Sequence, residues 1–84
     1  MYTDIQEHII VCLECGGTPR MKPLWFTWNR RTIPIQAVNY TWEGNEGRAA
    51  IYFFAVSDTS NNVYELSFNS ETLEWRLWRV YCEG

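Results

Sequence analysis

The stretch TIPIQAVNYTW, residues 32–42, decides the fold. Its apolar residues alternate as a strand requires, but Ile33 and Ile35 keep one phase while Val38, Tyr40 and Trp42 keep the other. Side chains of a strand repeat every two residues, so a slip of one carries the second half to the opposite face. A β-bulge or sharp bend near Gln36-Ala37 is therefore predicted, and such a bend curls a small sheet over its own apolar face.

Strand chemistry continues on both sides. IIVCLE (9–14) is rich in β-branched residues and stops at Gly16-Gly17. In PLWFTW (23–28), Leu24, Phe26 and Trp28 share one face, Trp25 and Thr27 the other. Asn29-Arg30-Arg31 makes a turn, with Asn29 suited to left-handed backbone. EGNEGR (43–48) is a loop, AAIYFFAVS (49–57) the most apolar strand, and DTSNN (58–62) a polar turn. VYELSF (63–68) sets Tyr64, Leu66 and Phe68 on one side; NSET (69–72) turns, and LEWRLWRVY (73–81) aligns Leu73, Trp75 and Leu77. No stretch has helical period, and residues 1–8 read as a short helical turn or a frayed end. The pattern predicts a single all-β domain spanning 1–84. Its expected form is a six-stranded antiparallel meander, strongly curled into a small SH3-like barrel or half-barrel.

The order and spacing of Pro23, Phe26, Ile35, Val38, Trp42, Phe54, Val56, Tyr64, Leu66, Trp75 and Leu77 resemble a family of very short, uncharacterised bacterial and archaeal proteins. The resemblance spans residues 9–81. It implies an all-β fold of unknown function, sometimes neighbouring or fused to DNA-repair proteins, and brings no catalytic or binding residue with it. The chain departs from that pattern at Asn29-Arg30, where the family has a glycine turn, and in carrying paired cysteines on its first strand.

Composition narrows the function. Eighty-four residues, 17% of them aromatic, suit one small domain with bulky core residues. A net charge of −3 argues against a general polyanion binder. No apolar run reaches the roughly 20 residues of a membrane helix, and the N-terminus has acids where a secretory signal has bases. With three cysteines, two of them close together, a disulfide scaffold fits poorly and a cytoplasmic protein is expected.

CLECGGTP (12–19) has the form of half a zinc knuckle. A structural site needs four ligands, and only His8 and Cys82 remain to join Cys12 and Cys15. Cys12 is expected to be a small hydrophobe in a strand and Cys15 the end of it, with no metal and no cofactor. The four-ligand site is the weaker alternative. A redox dithiol lacks the helix that should follow it.

Five bases, Arg20, Lys22, Arg30, Arg31 and Arg48, fall within residues 16–50 against Glu43 and Glu46, giving that segment +3. With an exposed Trp25 or Trp78 to stack bases, they frame a nucleic-acid-binding barrel as one reading. The favoured reading is a protein-interaction or accessory module. Trp25, Tyr52 and Trp78 would face outward as a contact patch rimmed by Arg30 and Arg31, covered by a protein partner or by self-association. Catalysis is not expected: there is one histidine, no nucleophile-bearing turn and no phosphate loop.

Overall fold

A computed structural model describes residues 1–18 and 21–82. Seven strands make the fold: β1 (Tyr2–Cys15), β2 (Met21–Trp28), β3 (Arg31–Pro34), β4 (Ala37–Glu46), β5 (Ala49–Ser57), β6 (Val63–Asn69) and β7 (Trp75–Tyr81). All neighbours are antiparallel, in one sheet of order β3-β2-β1-β7-β6-β5-β4.

The expected six strands become seven because 32–42 breaks where its phase slips. β3 ends at Pro34 and β4 starts at Ala37. Ile35 N–H donates to the Leu24 carbonyl (2.9 Å) and Gln36 N–H to the Ser57 carbonyl (2.8 Å). One linker thus ties off β3 and opens β4 at the opposite edge of the sheet. The expected barrel does not close, since β3 and β4 end the strand order instead of pairing with each other.

The first strand also exceeds expectation. Residues 2–8 are neither helical nor frayed: they pair with β7, from Tyr2 opposite Tyr81 to His8 opposite Arg76. A bulge hides their periodicity, because Ile5 and Gln6 together oppose Trp78, and Gln6 takes φ +56°. Trp78 is itself the extra residue of β7 against β6. These aligned irregularities bend the sheet, so that β1 pairs with β7 by its first half and with β2 by its second.

The open sheet curls over its inner face. Phe26 and Ile33 come from the β2–β3 side; Phe54, Val56, Tyr64, Leu66, Trp75, Leu77 and Val80 come from β5, β6 and β7. Phe26 meets the ring of Tyr64 edge-on at 5.0 Å. Most residues that carry the family resemblance lie in this core, whereas Val38 and Trp42 do not. Two expected core positions differ. Leu24 is the extra residue of a bulge between Trp25 and Pro23, with Pro23 fully buried. Leu73 is 68% exposed at φ +62°, because the Asn69 side chain caps the N–H groups of Glu71 and Thr72 and holds the turn open until Trp75.

The β2–β3 hairpin turns on two residues, Asn29 (φ +55°) and Arg30 (φ +62°), a type I′ turn for which Asn-Gly is the favoured pair. An L-residue there is strained. Arg30→Gly is expected to stabilise the fold by about 0.5–1 kcal/mol. Thermal melting checks it, and a lower melting temperature would mean that the arginine side chain repays its strain. Among the described residues no helix is long and apolar enough to cross a membrane.

Candidate functional site

The alternation of β5 assigns the faces. Tyr52, Phe54 and Val56 stand opposite Phe68, Leu66 and Tyr64 and point inward, while Ile51, Phe53 and Ala55 stand opposite Asn69, Ser67 and Glu65 on the outer face. Tyr52, expected to face outward, instead packs against the core margin; Phe53 takes the outward place. AAIYFFAVS is apolar at nearly every position and so leaves its own phase undecided.

Phe53 stacks parallel on Trp42 of β4, with centroids 5.1 Å apart and planes within 3°, and Tyr40 tilts against Trp42 at 5.7 Å. Trp42, Phe53 and Trp78 line one shallow hollow with Asp4, Gln6, Glu65 and Arg79; Tyr40, Trp42, Ala55, Glu65 and Arg79 line the next. The outer face of the β4–β7 sheet therefore carries Tyr40, Trp42 and Phe53 in ring contact, with Trp78 beyond Ser67 lining the same hollow. Tyr40 is its most open member, at 67% exposure. Trp78 is anchored, its Nε1–H donating to the buried Ser67 hydroxyl at 2.6 Å.

The cations beside this row are engaged. Arg79 pairs with Glu65 at 2.9 Å and lies 4.3 Å over the Tyr2 ring; the Glu65 hydrogen bond and charge hold its guanidinium above its ordinary pKa. Arg76 lies 5.4 Å from the Trp78 centroid and reaches His8 Nε2 at 3.1 Å. Guanidinium only donates, so Nε2 is the acceptor and Nδ1–H of His8 donates to Glu74 at 3.2 Å.

The four residues of the zinc alternative are placed apart. Both ring nitrogens of His8 are occupied. Cys82 N–H donates to the Met1 carbonyl at the start of β1, whereas Cys15 lies at the other end of that strand. Cys12 and Cys15 both lie in β1, where residues three apart point to opposite faces with Cα atoms about 10 Å apart. That is too far for a chelate pair or a disulfide. No group of three metal-binding side chains occurs among the described residues.

The other sequence candidates are dispersed. Trp25, 36% exposed, lies on β2 between Cys12 and Pro34, on a different part of the sheet from Trp78. Arg30 and Arg31 sit at the β2–β3 turn, where Arg30 borders a hollow with His8, Ile10 and Trp28. Lys22 is at the far end of β2, about 20 Å away, and Arg48 is in the β4–β5 turn. Arg20 lies outside the described residues. The four bases among the described residues are thus not gathered around one hollow.

Tyr40, Trp42 and Phe53 were legible only as strand residues. Their place on an outer face depends on which neighbour each strand pairs with. No protein-family model, curated protein or solved structure matches the chain.

Proposed function

We propose that the protein is a non-catalytic interaction module that docks a protein partner on the aromatic face of Tyr40, Trp42, Phe53 and Trp78. One observation carries this reading: four rings line adjoining hollows on an outer sheet face while the two arginines beside them are already paired or stacked. Rings of this kind supply large contact area at low entropic cost and dominate protein interfaces. A nucleic-acid surface needs cations free to meet phosphates, and here Glu65, Glu74 and Asp4 share the face.

The test is selection of displayed random peptides on the purified protein. Enriched sequences are expected, with binding weakened at least tenfold by the double substitution Tyr40→Ser, Trp42→Ser in a variant that keeps its circular dichroism. A tenfold loss corresponds to about 1.4 kcal/mol, a modest share for two interface rings. Failure to enrich any peptide, with salt-sensitive binding of single-stranded oligonucleotides instead, would overturn the reading in favour of a nucleic-acid partner.

A further inference from the structure

The backbone of β4 offers more than a support for its rings. Glu46 and Ala49 flank the two-residue turn Gly47-Arg48, where Gly47 has φ +61° while Arg48 does not enter positive φ, as in a type II′ hairpin. The turn's own hydrogen bond joins Glu46 C=O to Ala49 N–H. From that pair, ladder bonding alternates, so Glu46, Gly44, Trp42 and Tyr40 bond to β5. Thr41, Glu43 and Asn45 therefore aim three N–H and three C=O groups away from the sheet, along an edge with no strand beyond it.

The two edges are treated differently. β3 is four residues long and ends in proline, both devices that blunt an edge. β4 is ten residues long, mostly exposed, and holds neither proline nor lysine. Its bulge, at Asn39, lies at the opposite end from Thr41–Asn45. Beside the free stretch runs a groove of about 580 Å³ lined by Met21, Thr41, Trp42, Glu43 and the Tyr52–Phe54 segment of β5. It lies on the open side of β4, where the sheet fails to close.

We infer that β4 accepts an extended segment of a partner protein as an added strand, with basic and apolar side chains in alternation. This rests on the interaction-module reading and names its occupant. Hydrogen bonds to Thr41, Glu43 and Asn45 supply the backbone pairing. Apolar side chains of one phase enter the groove over Met21 and Tyr52. Basic ones, of the other phase, stand on the outer side with Glu46, while Glu43 turns inward and borders the groove. The same acids disfavour a second copy, because two β4 edges bring like charges into one new ladder.

The experiment uses capped seven-residue peptides alternating Lys and Val, a Glu/Val control, and Lys/Val peptides N-methylated at alternate residues in either phase. Binding is read by fluorescence anisotropy at low ionic strength and by amide exchange of the protein. The Lys/Val peptide is expected to bind at least tenfold tighter than Glu/Val and to slow exchange at Thr41, Glu43 and Asn45. One N-methylated phase should lose at least tenfold, and Glu46→Lys should remove the preference for the Lys/Val peptide. Thr41→Pro, which removes only an outward N–H, should abolish binding while leaving the melting transition cooperative. Binding that survives N-methylation and Thr41→Pro but is lost in Tyr40→Ser, Trp42→Ser overturns the added strand and leaves the module reading intact. A concentration-dependent dimer dissolved by Thr41→Pro overturns the partner segment in favour of a second copy. If no peptide binds, from this series or from the displayed library, both readings fall.

Discussion

Phe26→Ala destabilises the protein by about 3–5 kcal/mol, the usual cost of emptying a fully buried phenylalanine site. Phe26 is 0% exposed and lies between Val11 and Ile33, reaching across the fold to Tyr64. It is the largest fully buried side chain of the β2–β3 half. A domain of this length holds roughly 4–13 kcal/mol in total, so the loss removes a large part of the fold's stability. Urea unfolding followed by tryptophan fluorescence measures it. A loss below about 1.5 kcal/mol would mean that the β2–β3 arm folds over the β5–β7 sheet without needing this contact.

The second large effect belongs to Asp58, at the end of β5. Its Oδ1 accepts from Ser60 N–H (2.8 Å) and Asn62 N–H (3.0 Å), and its Oδ2 from Asn62 Nδ2 (3.1 Å) and the Tyr64 hydroxyl (2.6 Å). One carboxylate thus ties the β5–β6 turn to the ring that the core packs around. Asp58→Ala strands the Tyr64 hydroxyl, on a residue only 3% exposed, and is expected to cost about 2–4 kcal/mol. Denaturant unfolding of the alanine variant beside Tyr64→Phe, which removes the hydroxyl and leaves Asp58 its three other hydrogen bonds, should show the phenylalanine variant clearly the more stable.

The same pair sets the pH limits. Burial pushes the Asp58 carboxyl up, but hydrogen bonds from Tyr64, Asn62 and Ser60 outweigh it and leave its pKa below 3.8. A lowered folded pKa gives stability that is present above the unfolded value and lost as pH falls through the folded one. Tyr64 behaves oppositely. Burial, then its hydrogen bond to Asp58 and that carboxylate's charge, raise its hydroxyl well above 10.0. Its contribution is full below pH 10 and is lost as pH rises beyond. The melting temperature of the wild type should fall on both sides of a plateau between about pH 4 and 10. Tyr64→Phe should flatten the alkaline limb, and an unchanged limb would remove the Asp58–Tyr64 bond from the account.

Much of the strand content was readable from residue order, because period-two alternation survives wherever one face is dry and the other wet. TIPIQAVNYTW announced its own break, and the polar clusters at 58–62 and 69–72 announced turns. Residues 2–8 were not readable: a bulge at Ile5-Gln6 scrambles their alternation, and only pairing with β7 makes them a strand. Leu73 was lost to side-chain capping by Asn69, which local pattern does not weigh against apolarity. For the site, Trp78 was readable as an outward ring. Trp25 proved to stand apart from it and Tyr52 to face inward, while Tyr40, Trp42 and Phe53 went unrecognised.

Sequence by itself determined an all-β chain, most of its turns, its central bend and most of its core, since those follow from local periodicity and from which residues avoid water. The expected loop 43–48 is strand as far as Glu46. Only the tertiary structure decided that β4 ends as an open edge, that four rings share one outer face, and that the paired cysteines of β1 point apart. Each of these depends on which strands become neighbours, and neighbour choice is a long-range outcome of packing that period-two alternation does not encode.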